Sequence, residues 1–458
     1  MGAKGKQVTG KERISYMLYF LGQNTFYMLN YMYLNTYFTD VGIPTAAVAV
    51  IVLIVKIWDA INDPIFGGIV DRAHFKSGKF VPWLRICIPF ILVANILLFA
   101  IPLNVSTGVK IAWAILSYAL WSVGYTMTDV PIFGLITCIT DDQDEKTSLN
   151  ASGRIAALAA VLAISIIIPV FRNAIGGWTM TVLILSVLGA IFMIPIGLTA
   201  KERVKHKESG KQDDTSVKEI FSYLFSNKYL FIFYIAFLIA GALNVASAWG
   251  LYIARYCVGD ESIMSLTSMF GIIPAIGVGI FVPALCRRFD KFKVFYASII
   301  LSLAVNVVAW IVGYHNIPAY IAMAFLLSIP TGLYSVLTYM FTPDCAEYGQ
   351  YITGNSKPGI TFAVQTFFAK MQSALVASLS AVVLGFTGFV EGENAVQAAD
   401  FADKLWNTSK LFPIIGYVLA LVILHFYKLN DHDVSLMTKV NKGELTKAEA
   451  EKQMYNRY

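Results

Sequence analysis

Long apolar blocks, separated from one another by glycine, proline or charged residues, recur along the whole of this chain. About 20 such residues form a helix long enough to cross a hydrocarbon core of about 30 Å. A soluble fold is excluded, because 57% of the 458 residues are hydrophobic and only 14% are charged, against about 25% charged in soluble domains. The pattern predicts twelve spans at 13–38, 44–70, 81–102, 110–138, 153–171, 178–199, 229–256, 261–286, 293–313, 317–342, 358–389 and 411–428.

The most polar stretch, residues 201–228, divides these spans six and six. We therefore expect an N-terminal half at 1–200, a cytoplasmic linker, a C-terminal half at 229–428 and a solvated cytoplasmic tail at 429–458. Basic residues gather in the linker and in the loops on its side of the membrane. The positive-inside rule then puts both termini in the cytoplasm, with the chain in the cytoplasmic (inner) membrane.

Two short basic loops, 71–79 after span two and 287–293 after span eight, occupy equivalent places in the two halves. Such a weak internal repeat is typical of transporters built from two related six-helix bundles. The sequence thus predicts an all-α membrane protein of two pseudo-symmetric bundles.

Other classes of function find little support in the charged and reactive residues. The net charge of +6 lies in short loops and tails, without the aromatic-interleaved basic surface that nucleic-acid binding uses. The five cysteines occur singly, and the five histidines have no metal-ligand or nucleophile-base spacing. We expect no nucleic-acid partner, no cofactor and no enzymatic activity, and we keep a membrane enzyme only as an alternative.

Charged residues also occur inside the predicted spans. Each costs about 2.5–3.5 kcal/mol at the bilayer centre, so we expect them to face a polar interior and one another. In span two, spacings of three, four and seven residues put Lys56, Asp59 and Asp63 on one helical face beside Asn62. The six charges are Lys56, Asp59, Asp63, Asp129, Arg154 and Lys370.

Acids next to amide and hydroxyl oxygens indicate a site for a hard monovalent cation, with Asp59 and Asp63 as its candidate ligands. A buried carboxylate can instead take a proton, so the sequence leaves Na⁺ and H⁺ open. The alternative interpretation is that these charges form structural ion pairs, or that the long basic side chains reach the membrane interface.

Span one carries a polar and aromatic stripe, in which Asn24, Tyr27, Tyr31 and Asn35 recur at spacings of three and four. A sugar suits such a stripe, because its hydroxyls need hydrogen bonds and its ring faces stack on aromatic side chains. A tyrosine-rich packing seam or an interfacial aromatic belt explains the stripe equally well.

The segment WDAINDP at 58–64, followed by Gly67 and by GKFVPW at 78–83, resembles the melibiose permease group. These are the glycoside-pentoside-hexuronide:cation symporters of the major facilitator superfamily. Further motifs of that family follow in the expected order up to about residue 430. The resemblance implies a major facilitator fold of twelve helices, and we expect it to function as a monomer.

The resemblance also implies roles for particular residues. It implies a cation site formed by Asp59, Asn62, Asp63 and Thr126. It implies that Asp129 and Arg154 bind sugar hydroxyls and that Lys370 links the sugar to the cation. Further substrate contacts that we take from it are Tyr31, Tyr125, Gln365 and Thr366.

Departures from the melibiose pattern bear on the substrate. Gln23 and Asn24 stand where that branch has a Lys-Asp pair, so a sugar-binding carboxylate is an amide here, and this raises a uronide relative to a galactoside. Against this, the three acids Asp59, Asp63 and Asp129 can neutralise the nearby bases. Asn24 is therefore a candidate substrate contact, and further possible contacts are Lys56, Gln23, Tyr27, Phe133 and Arg255.

The sequence therefore predicts a cation-coupled symporter, driven by Na⁺ or H⁺, that moves a glycoside or hexuronide across the membrane by alternating access. Its partners are the small sugar or sugar acid and the lipid bilayer. A carrier of lysolipids or other amphiphiles from the same superfamily is the alternative.

Overall fold

The computed structural model describes residues 7–73, 75, 78–204, 217–355 and 358–458, and every regular element within these ranges is helical. The first half consists of six long helices that follow the predicted spans. They are α1 Gly10–Asp40, α2 Thr45–Arg72, α3 Val81–Leu98, α4 Thr107–Ile139, α5 Gln143–Ile175 and α6 Trp178–Thr199.

The second half contains two broken spans. Span seven is interrupted by a 3₁₀ turn at Val245–Ala248 and a π turn at Ile253–Val258. Span ten is interrupted by a 3₁₀ turn at Thr338–Met340. The helices are α7 Val217–Ser226, α8 Lys228–Ala242, α9 Gly250–Tyr252, α10 Ile263–Arg288, α11 Lys291–Val312, α12 Ile317–Leu337, α13 Phe341–Thr353, α14 Pro358–Phe386 and α15 Phe401–Leu424.

Ten helical segments among the described residues are long and apolar enough to cross a membrane. The more polar α1 and the broken span seven complete the twelve, which confirms the predicted all-α fold. Three predicted boundaries were wrong. Span ten reaches Thr353 rather than 342, because α13 continues it beyond the 3₁₀ turn. Span five begins at Gln143 rather than 153, because the Asp142 carboxylate accepts the Asp144 and Glu145 N–H groups (both 2.9 Å) and caps a longer helix. Span twelve covers Phe401–Leu424 rather than 411–428, because Phe401 and Leu405 are buried and extend its packed face.

One apolar core is formed chiefly by α1–α6, with a few residues of the second half, and another by α7, α8, α10–α15 and part of the tail. In the first core α1 and α6 approach closely at Gly22 and Gly189. A Cβ atom added at Gly22 would lie 2.2 Å from the Gly189 carbonyl oxygen, so glycine is required there. The halves contact each other chiefly where α14 packs on α2 and α10 packs on α5.

The predicted linker is described at its two ends, while residues 205–216 lie outside the described part. At its start, the Glu202 carboxylate accepts the backbone N–H groups of Lys79, Phe80 and Val81 at 2.7, 2.7 and 2.8 Å. Glu202 thereby satisfies donors that the first turn of α3 leaves free. At its end, the chain forms α7.

The C-terminal tail folds back on the second half as α16 Asp431–Asn441 and α17 Lys447–Gln453. Val434 and Met437 share one face of α16 and are 8% and 0% exposed, and the Asp433 carboxylate is fully buried. The expectation of a solvated tail helix was therefore wrong, because an apolar face and a buried acid hold the tail against the bundle.

Candidate functional site

The acidic face of α2 meets a hydroxyl face of α4 in matching register. Ser122 Oγ donates to Asp59 Oδ1 at 2.6 Å, and Thr126 Oγ1 donates to Asp63 Oδ1 at 2.7 Å. Asn62 Nδ2 donates to Thr126 Oγ1 at 2.8 Å. The two helices run parallel, so acids four residues apart on one meet hydroxyls four residues apart on the other. The structure thus brings together all four predicted cation-site residues and adds Ser122.

A basic residue from the second half reaches this cluster. Lys370 on α14 forms an ion pair with Asp63 Oδ2, so the two oxygens of Asp63 contact a hydroxyl of one half and an ammonium of the other. The side chains of Lys370 and Asp63 are 46% and 32% exposed, whereas Asn62 and Thr126 are 5% and 2% exposed. The ion pair therefore faces open space between the halves, with a buried polar layer behind it.

An aromatic cavity of about 40 Å³ lies between the halves, next to this cluster. The rings of Tyr27 and Tyr31 stack at 5.8 Å, and Trp121 stacks on Tyr125 at 5.2 Å. Lys56 lines the same cavity and forms no ion pair with any carboxylate in the described chain. Ligand pockets usually measure about 300–1,000 Å³, so this cavity must widen before it admits a sugar.

Asp129 lies one helical turn beyond Thr126 on α4 and contacts α1. Gln23 Nε2 donates to Asp129 Oδ1 at 2.9 Å and reaches Thr128 Oγ1 at 3.3 Å. Asn24 turns its amide to its own helix, where Nδ2 donates to the Phe20 carbonyl oxygen at 2.9 Å. One carboxylate oxygen of Asp129 thus accepts a hydrogen bond from an amide, and a sugar hydroxyl could replace that amide as the donor.

Other predicted substrate contacts form no hydrogen bond with this group among the described residues. Arg154 is exposed and has no hydrogen bond or ion pair within the described residues. Gln365 Oε1 accepts the Thr342 hydroxyl at 2.5 Å, inside the second half. Thr366 is exposed and bonds to its own helix, and Phe133 is half exposed, with its ring edge on Phe20 at 5.7 Å.

Arg255 belongs to a charge network at the distal end, the end of the bundle opposite the two termini, where α1 finishes at Asp40. Its guanidinium donates to Asp40 at 2.7 and 3.1 Å and to Glu261 at 2.7 Å. Arg172 of α5, which is 2% exposed, binds Glu261 at 2.9 Å and Glu393 at 2.5 Å. Two arginines and three acids from both halves thus close the distal end.

The loop between α14 and α15 strengthens this closure from the second half. Its Glu391 carboxylate accepts the Thr45 N–H at the start of α2 at 2.9 Å. The N–H groups of Gly392 and Glu393 donate to the carbonyl oxygens of Thr39 and Asp40 at 2.9 and 3.0 Å. Backbone and side chains of this loop therefore bind the first half directly.

Sequence reasoning missed Ser122 and the partners of Arg255. Ser122 had a local signal, since it precedes Thr126 by the same four residues that separate Asp59 from Asp63. Asp40 had none, because it lies 215 residues from Arg255. Glu261 follows Arg255 by only six residues, but that spacing does not put two residues on one face of an α-helix.

Comparison with known proteins agrees with this architecture. The chain resembles the isoprimeverose transporter of Lactiplantibacillus pentosus at 25% identity, over 95% of this chain and 92% of that protein. It resembles the glucuronide carrier protein homolog of Escherichia coli at 24% identity, over 93% and 94%. The nucleoside transporter NupG has a similar fold, with a TM-score of 0.64 and 16% identity over 92% of this chain and 100% of that chain.

The family described as MFS/sugar transport protein matches residues 15–431, which is most of the chain. This chain therefore belongs to that family, and its resemblance to the glycoside-pentoside-hexuronide:cation symporters of the major facilitator superfamily is confirmed.

Proposed function

We propose that this protein couples the entry of a monovalent cation, Na⁺ or H⁺, to the movement of a glycoside or hexuronide across the cytoplasmic membrane. The observation that carries the proposal is the position of Asp63, whose two oxygens contact Thr126 of the first half and Lys370 of the second. A cation that binds Asp63 must compete with Lys370, so its binding changes a contact between the halves.

Coupling follows from this competition. When a cation occupies the oxygens of Asp59 and Asp63, the Lys370 ammonium loses its partner and becomes free to contact a substrate group. If cation and sugar favour the same arrangement of the halves, each raises the affinity for the other by the same factor. Proton coupling works through the same pair, because a protonated Asp63 also releases Lys370.

The substrate site proposed here lies between the halves, bounded by Asp129, the stacked tyrosines and Lys56. The distal network closes this space on one side, so alternating access requires that the network break when the other side closes. We further propose that both termini are cytoplasmic, since the described parts of both basic loops lie at the same end as the tail. We also propose a monomer as the working unit. The hydroxyl-bearing aromatic rings and the amides favour a sugar over a lysolipid, which would need a long apolar groove.

Uptake into proteoliposomes tests the proposal. The purified full chain is reconstituted, a Na⁺ gradient or a pH gradient is imposed, and the accumulation of a radiolabelled glucuronide and of its neutral parent glycoside is measured. We expect accumulation above the external concentration under one gradient and its collapse when an ionophore dissipates that gradient. Sugar entry that never exceeds equilibrium under either gradient would contradict coupled transport.

A further inference from the structure

A basic cleft of about 530 Å³ lies outside the transport path, at the membrane end of three spans. The C-terminal end of α10, the start of α11 and the segment after α15 border it. The tail forms its remaining wall, in which the Tyr455 ring stacks on His432 at 4.3 Å. The cationic and aromatic residues on which the proposal depends are Arg287, Arg288, Phe289, Lys293 and Lys428.

The tail wall is a built structure. The buried Asp433 carboxylate accepts the Tyr455 N–H at 2.9 Å and the Tyr458 hydroxyl at 2.8 Å. The Lys428 carbonyl oxygen accepts Asn456 Nδ2 at 3.0 Å. These bonds fix the last residues of the chain next to the basic loop, so the cleft keeps a defined shape.

The cleft has an excess of positive charge, because four cations line it against two acids, and both acids have hydrogen-bond or ion-pair partners of their own. Asp290 accepts the backbone N–H groups of Phe292 and Asp431 at 2.9 and 2.8 Å, and Asp431 pairs with Lys291 at 3.2 Å. Across the described residues, the four cations of the cleft form no ion pair with a carboxylate. Those four are Arg287, Arg288, Lys293 and Lys428.

Apolar surface adjoins this charge at the level where the spans end. Phe289 lines the cleft and is 50% exposed, and Phe426, two residues before Lys428, is 60% exposed. Exposed aromatic rings at span ends suit the boundary between headgroups and acyl chains, and arginine forks suit phosphate oxygens. A soluble phosphate compound would use the cations without the aromatic rings.

We propose that this cleft binds the phosphate headgroup of an anionic phospholipid, with the acyl chains running past Phe289 and Phe426. Basic pockets between span ends are a recognised form of lipid site, and bound lipid would link the tail to the second half. The site is separate from the transport path, so a test of lipid binding is independent of the proposed symport.

Native mass spectrometry of the full chain in detergent tests the site, with phosphatidylglycerol and phosphatidylcholine as probes. The test variant is the triple change Arg287→Gln, Arg288→Gln and Lys293→Gln. The control removes the same charge from exposed tail positions outside the cleft, through Lys439→Gln, Lys442→Gln and Lys452→Gln. We expect phosphatidylglycerol to bind the unmodified chain and the control, and to bind the test variant at least tenfold more weakly.

Equal loss of phosphatidylglycerol in test and control variants would overturn the proposal, as would equal binding of the two lipids by the unmodified chain. Full displacement of lipid by equimolar glycerol phosphate, or by an acidic peptide, would assign the cleft to a soluble partner instead. The double variant Arg287→Lys and Arg288→Lys keeps the charge, so its retention of lipid separates lost binding from misfolding.

Discussion

Arg255 and Asp40 form a two-point ion pair across the boundary between the halves, with Nη1–Oδ1 at 2.7 Å and Nη2–Oδ2 at 3.1 Å. Only 1% of the Asp40 side chain is exposed, and the Trp178 indole N–H donates to Oδ2 at 2.8 Å. This desolvated pair joins α1 to the segment after α9. The distal end therefore opens only when this pair breaks.

Replacing Asp40 with Asn is expected to shift the protein toward a state open at the distal end. Removal of one partner from a buried pair costs about 3–5 kcal/mol, and here it leaves Arg255 without its two-point acceptor. Distances between spin labels on the distal ends of the two halves, measured by pulsed electron resonance, report the opening. Asp400→Asn is the control, since its pair with Lys404 is exposed. Unchanged distances in Asp40→Asn would show that the pair does not hold the end closed.

Replacing Asp59 or Asp63 with Asn is expected to abolish gradient-driven accumulation while sugar exchange without a gradient persists. Ser122→Ala removes a hydrogen bond to a carboxylate, worth about 1.5–3 kcal/mol, and is expected to change the cation concentration for half-maximal transport. Ser117→Ala is the matched control, because Ser117 bonds only to its own helix. Full accumulation by both Asn variants would remove the cation site from α2.

Replacing Asp129 with Ala is expected to weaken sugar binding by about 10- to 150-fold, if its charge-assisted hydrogen bond is worth about 1.5–3 kcal/mol. Cation binding should remain, because Asp59 and Asp63 are unaltered. Titration calorimetry with sugar and with Na⁺ separates the two effects. The exposed Asp144 serves as a control through Asp144→Ala. Sugar affinity within threefold of the unmodified protein would locate the sugar elsewhere.

Lys56 is expected to make the site prefer an acidic sugar. It lines the aromatic cavity without an ion pair among the described residues, and the acid nearest in its own helix, Asp59, is bonded to Ser122. Lys56→Gln and Asn24→Asp should each lower uptake of a uronide selectively, as competition with its neutral parent glycoside would measure. If the unmodified protein carries the neutral sugar equally well or better, the preference is wrong.

Docking of the tail is expected to depend on the charge of Asp433. Although burial raises the pKa of Asp433, hydrogen bonds from the Tyr455 N–H and the Tyr458 hydroxyl outweigh it and hold that pKa below its ordinary value. A lowered pKa stabilises the docked tail at all pH values above the ordinary value of about 3.9, and the gain is lost as the pH falls through the lowered pKa.

Asp433→Asn should therefore release the tail at neutral pH, and limited trypsin digestion should then cleave at Lys439. Glu444→Gln, at an exposed tail position, is the control and should remain protected. In the unmodified protein, a spin label at position 452 should stay immobile from pH 8 to 5. Mobility that rises within that range would point to another titrating group.

The helical fold could be predicted because each apolar block is long enough to cross the membrane as a helix. Helical spacing also puts Asp59 and Asp63 on one face of α2 with Asn62 beside them, whereas the addition of Thr126 from α4 came from the family resemblance. The break in span seven had only a weak local mark, Gly250 at the start of α9, and the contacts of its 3₁₀ and π turns with α14 and α15 could not be predicted from spacing.

Some contacts could not be predicted from the sequence, because the two partners lie far apart in the chain. Arg255 was expected to attract an anionic substrate because it is a basic residue near the outer end of span seven, and its partner Asp40 is 215 residues away. Arg154 was expected to bracket a sugar with Asp129. It lies within α5 and is exposed, without a hydrogen bond or ion pair in the described part of the chain, so this role stays a prediction. In the tail, the apolar spacing of Val434 and Met437 could be seen in the sequence. The many charged residues around it favoured the interpretation of a solvated helix instead.

The contact at Gly22 and Gly189 has a consequence for movement. Because the two backbones touch at this point, α1 has little room to move against α6, and a tilt of α1 is expected to carry α6 with it. Helix α1 has 31 residues and is about 46 Å long. It carries Glu12, which pairs with Arg203 of the linker at 2.9 Å, at one end and Asp40 at the other, with Gln23 and Asn24 between them. A tilt that frees Asp40 therefore displaces the amides of Gln23 and Asn24 and the contact between Glu12 and Arg203 in the same step.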